Sequence, residues 1–306
     1  MKRIKNQIQV IKKDLMRNWS LYLMIIPAIM SLFFFSYKPM YGALIAFQDY
    51  RPAKGFGAEW VGFKHFIRFF ESPFFLQLLR NTLVISGFSL LFSFPAPIML
   101  SLVLNELKPS KYKTLAQIIM YLPHFISVVI ICGMLNTFSG SEGLFNDIIS
   151  FFGGKRVPLL QNGTNYRVIY IASDVWQTFG WGTIIYIAAL SGISKELYDA
   201  ANVDGAGRWK QTLHVTIPGI APTIITMLIL RMGSVMNVGY TKTMLLYNDA
   251  ILDKADVIST YVYRAGLEDK QWSYSTAISL FNNVINIILL VTANKISRKM
   301  SETSLW

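Results

Sequence analysis

The chain has 306 residues, of which 53% are hydrophobic and 15% charged, and its formal net charge is +12. Apolar runs of roughly 20 residues recur along it, the length that crosses a hydrocarbon core of about 30 Å, so it reads as an integral membrane protein. Lys and Arg gather at the ends of those runs and form no stripe interleaved with aromatics, which assigns the charge to the membrane and excludes nucleic acid as a partner.

Residues 1–19 carry Lys2, Arg3, Lys5, Lys12, Lys13 and Arg17, with Ile4, Ile8, Ile11 and Leu15 at helical spacing. This is either a short amphipathic helix on the inner surface or a solvated charge cluster. A first span is expected from Leu21 to Tyr37. An outer segment follows, with Lys38-Pro39-Met40-Tyr41-Gly42, Ala46-Phe47-Gln48-Asp49-Tyr50, Trp60-Val61-Gly62-Phe63, Phe66 and Arg80-Asn81-Thr82-Leu83. Residues 66–78 fit an amphipathic helix lying on the outer surface.

The second span, Leu83 to Leu104, should kink at Pro95 and Pro97. A short basic loop, 105–114, leads to a third span from Leu115 to Phe138 with Pro123 inside it. The glycine-rich outer loop 139–166 ends in Asn162-Gly163-Thr164, which has the spacing of a glycosylation acceptor. The fourth span covers Arg167 to Leu190, the fifth Gly219 to Val238, and the sixth Thr276 to Ala293. The expected fold is therefore all-α, with six transmembrane helices over 20–293, a basic segment 1–19 and a tail 294–306. Lys and Arg are denser on the N-terminus, 105–114, 191–218 and the tail than on the other connections, which places both termini and residues 192–218 on the cytoplasmic side.

The polar stretch 192–218 separates two apolar runs. Ser194 suits a helix N-cap, and Glu196 in the first turn suits the positive end of the helix dipole. Asp204-Gly205-Ala206-Gly207 is a break, Arg208 to Val215 reads as a second short helix, and Pro218 should stop it. Asp199-Ala200-Ala201, three residues, Gly205, nine residues, then Val215-Thr216-Ile217-Pro218 resembles the "EAA" loop of the permease subunits of binding-protein-dependent (MetI-like) ABC importers, with Asp199 in place of the usual Glu. The aromatic and polar series of residues 38–83 extends the likeness to the oligosaccharide branch, similar to LplB-type and, more distantly, to maltose and glycerol-phosphate permeases.

The resemblance implies a cytoplasmic coupling helix docked in a groove of an ATPase subunit, with Glu196, Asp199, Ala200, Ala201, Asp204, Gly205, Gly207 and Pro218 at the contact. It also implies a second, related permease chain, two ATPase subunits that bind ATP and Mg, and an extracytoplasmic binding protein that delivers the sugar at a bacterial cell membrane. The small residues fit close approach by another protein surface.

Asp174 and Arg231 are the intramembrane charges. Each lies about seven residues in from the outer end of its span, roughly 10 Å deep, which suggests an ion pair or two side chains that snorkel separately. Trp176, Gln177, Trp181, Ser234, Asn237, Asn282 and Asn286 are candidates for a sugar pathway, or for interhelical hydrogen bonding. Asn282 and Asn286 share a helix face, and Asn283 points elsewhere.

Cys132 is the lone cysteine, and His65, His124 and His214 lack metal-ligand spacing. No Gly-x-x-x-x-Gly-Lys-Ser/Thr phosphate loop and no Ser-His-Asp spacing occur, so the chain reads as a transport subunit without its own cofactor. Alternatives are an importer subunit for another solute, such as glycerol-phosphate, or a membrane scaffold.

Overall fold

Proline decides where the apolar runs bend. The computed structural model describes residue 14 and residues 16–108, 110–300 and 304–305; the amphipathic helix read over 1–19 lies almost wholly outside them. Helix α1, Trp19–Phe47, is α-helical to Leu32, widens into a π turn over Phe33–Tyr37 and tightens into a 3₁₀ turn over Tyr41–Phe47. The widened turn falls just before Pro39, where a missing N–H breaks the regular ladder. Residues 38–47, expected as outer loop, instead prolong the first helix. The apolar window of α1 is 0% buried by the rest of the chain; the helix packs only through its end, where Ala46 meets the last helix. A helix that is apolar all round needs lipid or a second chain against it.

The helix expected over 66–78 is split by a turn into α2, Lys64–Phe70, and the start of α3, Phe75–Ser93. Pro95 opens α4, Pro95–Glu106, and the helix is interrupted at Phe94, just before the two prolines. The third apolar run is two helices, α5, Lys111–Tyr121, and α6, Val128–Ser139. Between them Pro123 lies in a 3₁₀ turn, and the Ser127 hydroxyl restarts the helix by accepting from the Val129 N–H. A short helix α7, Leu144–Phe151, follows.

Asn162 is an N-cap. Its side-chain oxygen accepts from the N–H groups of Thr164 and Asn165 and starts α8, Gly163–Ser191. At 29 residues, α8 is about 43 Å long, and it packs against α3, α4 and α5. A Cβ at Gly180 would fall 1.9 Å from the Met120 carbonyl oxygen, so only glycine lets the end of α5 come this close.

Then come α9, Lys195–Val203, and α10, Arg208–Met232. The helix expected over 208–215 is not separate, and Pro218 does not end it. A π turn over Thr212–Thr216 absorbs the missing Pro218 N–H, and the helix continues to Met232. The fifth span thus ends earlier than the expected Val238. Helices α11, Tyr240–Leu246, and α12, Ile258–Tyr263, lie within the next loop, and α13, Trp272–Met300, closes the fold and carries the last span on into the tail.

The sequence predicts six spans. Five stretches are long and apolar enough to cross a membrane: Trp19–Phe47, Phe75–Glu106, Val128–Phe151, Arg208–Met232 and Trp272–Lys299. Helix α8 has the length but carries Arg167, Asp174 and Gln177.

Two apolar clusters hold the bundle. One joins Ile85, Ile131, Leu135, Tyr166 and Tyr170, and the other joins Phe69, Leu78, Met236, Ile258 and Ile278. The loop 239–271 is latched onto α3 by polar groups. The buried Asn81 amide donates to the carbonyls of Asp253 (3.0 Å) and Asp256 (2.9 Å) and accepts from the Arg167 guanidinium (2.7 Å). The Thr82 hydroxyl accepts from the Ile258 N–H (3.0 Å). Within the loop, Arg264 pairs with the buried Asp256 carboxylate through two hydrogen bonds. Burial alone would lower the Arg264 pKa, but the Asp256 carboxylate outweighs it and holds the guanidinium above its ordinary range.

Candidate functional site

Two regions collect the candidate residues. The first is residues 192–218. Ser194 caps α9 by accepting from the Glu196 N–H at 3.2 Å. The helix ends in a Schellman turn: the Ala206 N–H reaches the Ala201 carbonyl (2.8 Å), and the Gly205 N–H reaches that of Asn202 (3.0 Å). Gly205 has φ +73°, a conformation costly to any residue with a Cβ. Gly207 precedes α10 as its N-cap.

Four side chains to which the sequence reading gives no structural role fix the two limbs to each other. The Gln211 side-chain amide donates to Asn202 Oδ1 (2.6 Å) and to the Ala206 carbonyl (2.8 Å). The Tyr198 and Thr216 hydroxyls meet at 3.0 Å. Glu196, Asp199, Ala200, Asp204, Gly205, Gly207 and Pro218 are exposed, and Ala201 is half-buried. Val203 (89% exposed) and Trp209 (78%) stand beside Leu197 and Leu213 on the same loop, all of them uncovered. Paired limbs with apolar side chains left in the open are what a docking element requires.

The second region is polar and lies within the bundle. A cavity of about 160 Å³ is lined by Ser86, Ser89, Tyr170, Asp174, Arg231, Ser234 and Asn237, among others. A second cavity, of about 310 Å³, shares Asp174 and Arg231 and adds Ser93, His124, Thr178 and Trp181. The structure therefore brings together Asp174 and Trp181 of α8 with Arg231, Ser234 and Asn237 from the end of α10 and the turn after it.

Of the two alternatives for Asp174 and Arg231, the ion pair does not form. The Asp174 carboxylate accepts from the Ser93 hydroxyl at 3.1 Å instead. Ser93, Ser89 and Ser86 recur at helical spacing on α3, so a polar stripe in the second apolar run was the signal that could have found this wall. His124, from the break between α5 and α6, stacks on Trp181 with ring centroids 4.6 Å apart and planes 4° from parallel.

The remaining candidates sit elsewhere. Trp176 lines a separate, apolar cavity of about 340 Å³ with Ile131, Phe138 and Leu144. The Gln177 amide donates to the Ile126 carbonyl (3.1 Å), which the Pro123 break leaves without a helical partner. Asn282 and Asn286 share a face, as expected, and both donate to Asn237 Oδ1, at 2.9 and 3.0 Å. Asn286 Oδ1 accepts from the Met236 N–H. This amide cluster ties the turn after α10 to α13, and Asn283 is exposed. Among the described residues no group of three His, Cys, Asp or Glu converges as a metal site.

An all-helical chain with several membrane-length apolar helices, an internal polar cavity and an exposed helix–glycine–helix loop has the architecture of a membrane transport component. The chain belongs to the family described as "Binding-protein-dependent transport system inner membrane component", matched over residues 98–302. It is 43% identical over 290 residues to the polygalacturonan/rhamnogalacturonan transport system permease protein YteP of Bacillus subtilis (strain 168), across 94% of this chain and 90% of that one. It is 42% identical over 294 residues to protein LplB of the same organism, across 95% and 92%. Among solved structures, a bacterial ABC transporter involved in the import of the acidic polysaccharide alginate superposes with a TM-score of 0.86 at 42% identity, over 95% of this chain and 99% of that one. The bacterial alginate ABC transporter in complex with an alginate pentasaccharide-bound periplasmic protein gives a TM-score of 0.87 at 41% identity.

Proposed function

We propose that the chain is the permease subunit of an ATP-driven importer for oligosaccharides handed over by an extracytoplasmic binding protein. The observation that carries this reading is the near full-length likeness, in sequence and in shape, to permeases of sugar and polysaccharide importers. In this reading α8 also crosses the membrane, as the fourth of six spans, and both termini and residues 192–218 face the cytoplasm. Helix α9 and the turn at Gly205 dock on one of two ATPase subunits, which bind ATP and Mg. The exposed Asp199 and Ala200, with Ala201 half-buried beside them, and the open apolar side chains of Val203 and Trp209 support that contact.

A second permease chain packs against α1 and closes the polar cavities from the other side; the unburied apolar surface of α1 supports this. Asp174, Trp181, Arg231, Ser234 and Asn237 line the path of the solute. Gln177, Asn282 and Asn286 act behind it by holding backbone and side chains in place.

The test is reconstitution with the partner chains. Sugar uptake should require ATP and the binding protein. Ala201→Trp should abolish co-purification of the ATPase. Uptake by the isolated chain without a nucleotide-hydrolysing partner would overturn the reading.

A further inference from the structure

We propose that Arg231 reads the carboxylate of an acidic sugar, so that the solute passing this cavity is an oligosaccharide of uronic acids. The inference rests on the transport reading above and deepens it. Arg231 stands in the last turn of α10, and its side chain lines both polar cavities. Among the described residues, no carboxylate lies within ion-pair distance of its guanidinium, and no acceptor takes a hydrogen bond from it. Arg231 lies one residue from the end of α10, on the open side of the cavities, where its guanidinium can meet a solute.

The remaining charges give the cavity a sign. Asp174, its one carboxylate, is engaged by Ser93. Behind the wall, Lys242 is buried. Its ammonium donates to the Tyr170 carbonyl (3.0 Å) and lies 4.5 Å from the centre of the Tyr170 ring. Two cations, the buried Lys242 and the exposed Arg231, thus act on the space against one anion. A neutral sugar gains nothing from that imbalance. A carboxylate does, and the planar guanidinium fork can hold its two oxygens together. Trp181, on the same wall, offers its ring to the C–H face of a sugar.

The test uses the importer assembled with its partner chains in proteoliposomes. ATP-driven uptake of tetragalacturonate is compared with uptake of the same oligomer after its carboxyls are reduced to alcohols. The wild type should favour the acidic form. Arg231→Gln should lower acidic uptake by at least about tenfold, the scale of one charge-assisted pair, and lower neutral uptake less, so that the acidic-to-neutral ratio falls. Arg231→Lys, which keeps the charge but not the fork, should fall between. Asp174→Asn should shift the ratio further toward the acidic oligomer.

An acidic-to-neutral ratio unchanged in Arg231→Gln, or an equal fall for both oligomers, overturns the inference and leaves the transport reading standing. A wild type that moves neither oligomer under ATP overturns the transport reading and this inference with it. Should Arg231→Gln fail to assemble, the ratios of Arg231→Lys and Asp174→Asn decide alone.

Discussion

Single residues carry two sharp consequences. At Gly205 the space that a Cβ would occupy is open, so the objection to a side chain is conformational and not steric. With φ at +73°, Gly205→Ala should cost about 1–2 kcal/mol, and Gly205→Val more, because a β-branched side chain tolerates this region worse. Gly205→Asn should cost less than either. Thermal unfolding of the purified chain ranks the three, and equal losses would contradict a backbone origin.

His65 gives a pH dependence. It is buried, and its Nε2 lies 3.1 Å from the Gln48 carbonyl, which can only accept, so Nε2 carries the proton of the neutral ring. Nδ1 is buried without a partner. Burial lowers the pKa below the ordinary 6.5, so the unfolded chain binds this proton more readily. The stability from neutral His65 is complete above about pH 6.5 and is lost as pH falls through the lower folded value. Protection of the amides of residues 47–62, taken relative to their intrinsic exchange rates at each pH, should fall between pH 7 and pH 5, and His65→Gln should flatten that dependence.

At the scale of elements, the latch between α3 and the loop 239–271 depends on one amide. Asn81→Leu leaves the Asp253 and Asp256 carbonyls and part of the Arg167 fork without partners in a buried place. The loss should be about 3 kcal/mol or more, at roughly 1–3 kcal/mol for each unsatisfied group. Hydrogen exchange across residues 249–264 should rise, while the core of α8 stays protected. If both regions loosen together, the loop is not an independent unit.

Elements are also where the sequence is most and least readable. The Ser194 cap and the glycine turn are legible because capping and left-handed backbone are local chemistry. The interruption at Phe94, just before Pro95, is legible for the same reason. The continuation of α10 through Pro218 is not, because a π turn is a response of the whole ladder and has no residue signature of its own. The shared face of Asn282 and Asn286 follows from helical spacing. Their common acceptor, Asn237, comes from another helix end and could be supplied only by packing. Counting residues to Val238 puts Arg231 as deep as Asp174, but α10 ends at Met232 and leaves Arg231 one residue from its end; counting also misses Ser93 as the partner of Asp174, because the serine stripe is hidden in a run whose overall content is apolar.

For the whole molecule, the exposed apolar side chains of residues 192–218 and the unburied α1 ask for different neighbours. Val203→Asp or Trp209→Asp should reduce co-purification of the ATPase without lowering recovery of the membrane-inserted chain, since neither side chain is packed within it. Polar substitutions along α1 should instead weaken association with a second permease chain. A loss of ATPase binding from the α1 variants alone would reverse this assignment of surfaces.

The unbroken run of α10 joins the two regions. Arg208 begins it beside Gly207, and Arg231 lies one residue from its end. Those 25 residues amount to a connecting rod about 37 Å long. A stroke of an ångström or two at the glycine end would reach the guanidinium with little lost on the way. The compliant points are the widened turn at 212–216 and the ring of Pro222. The residue that meets the cargo and the joint that takes the thrust would then move as one piece, with no further chain needed to carry the message.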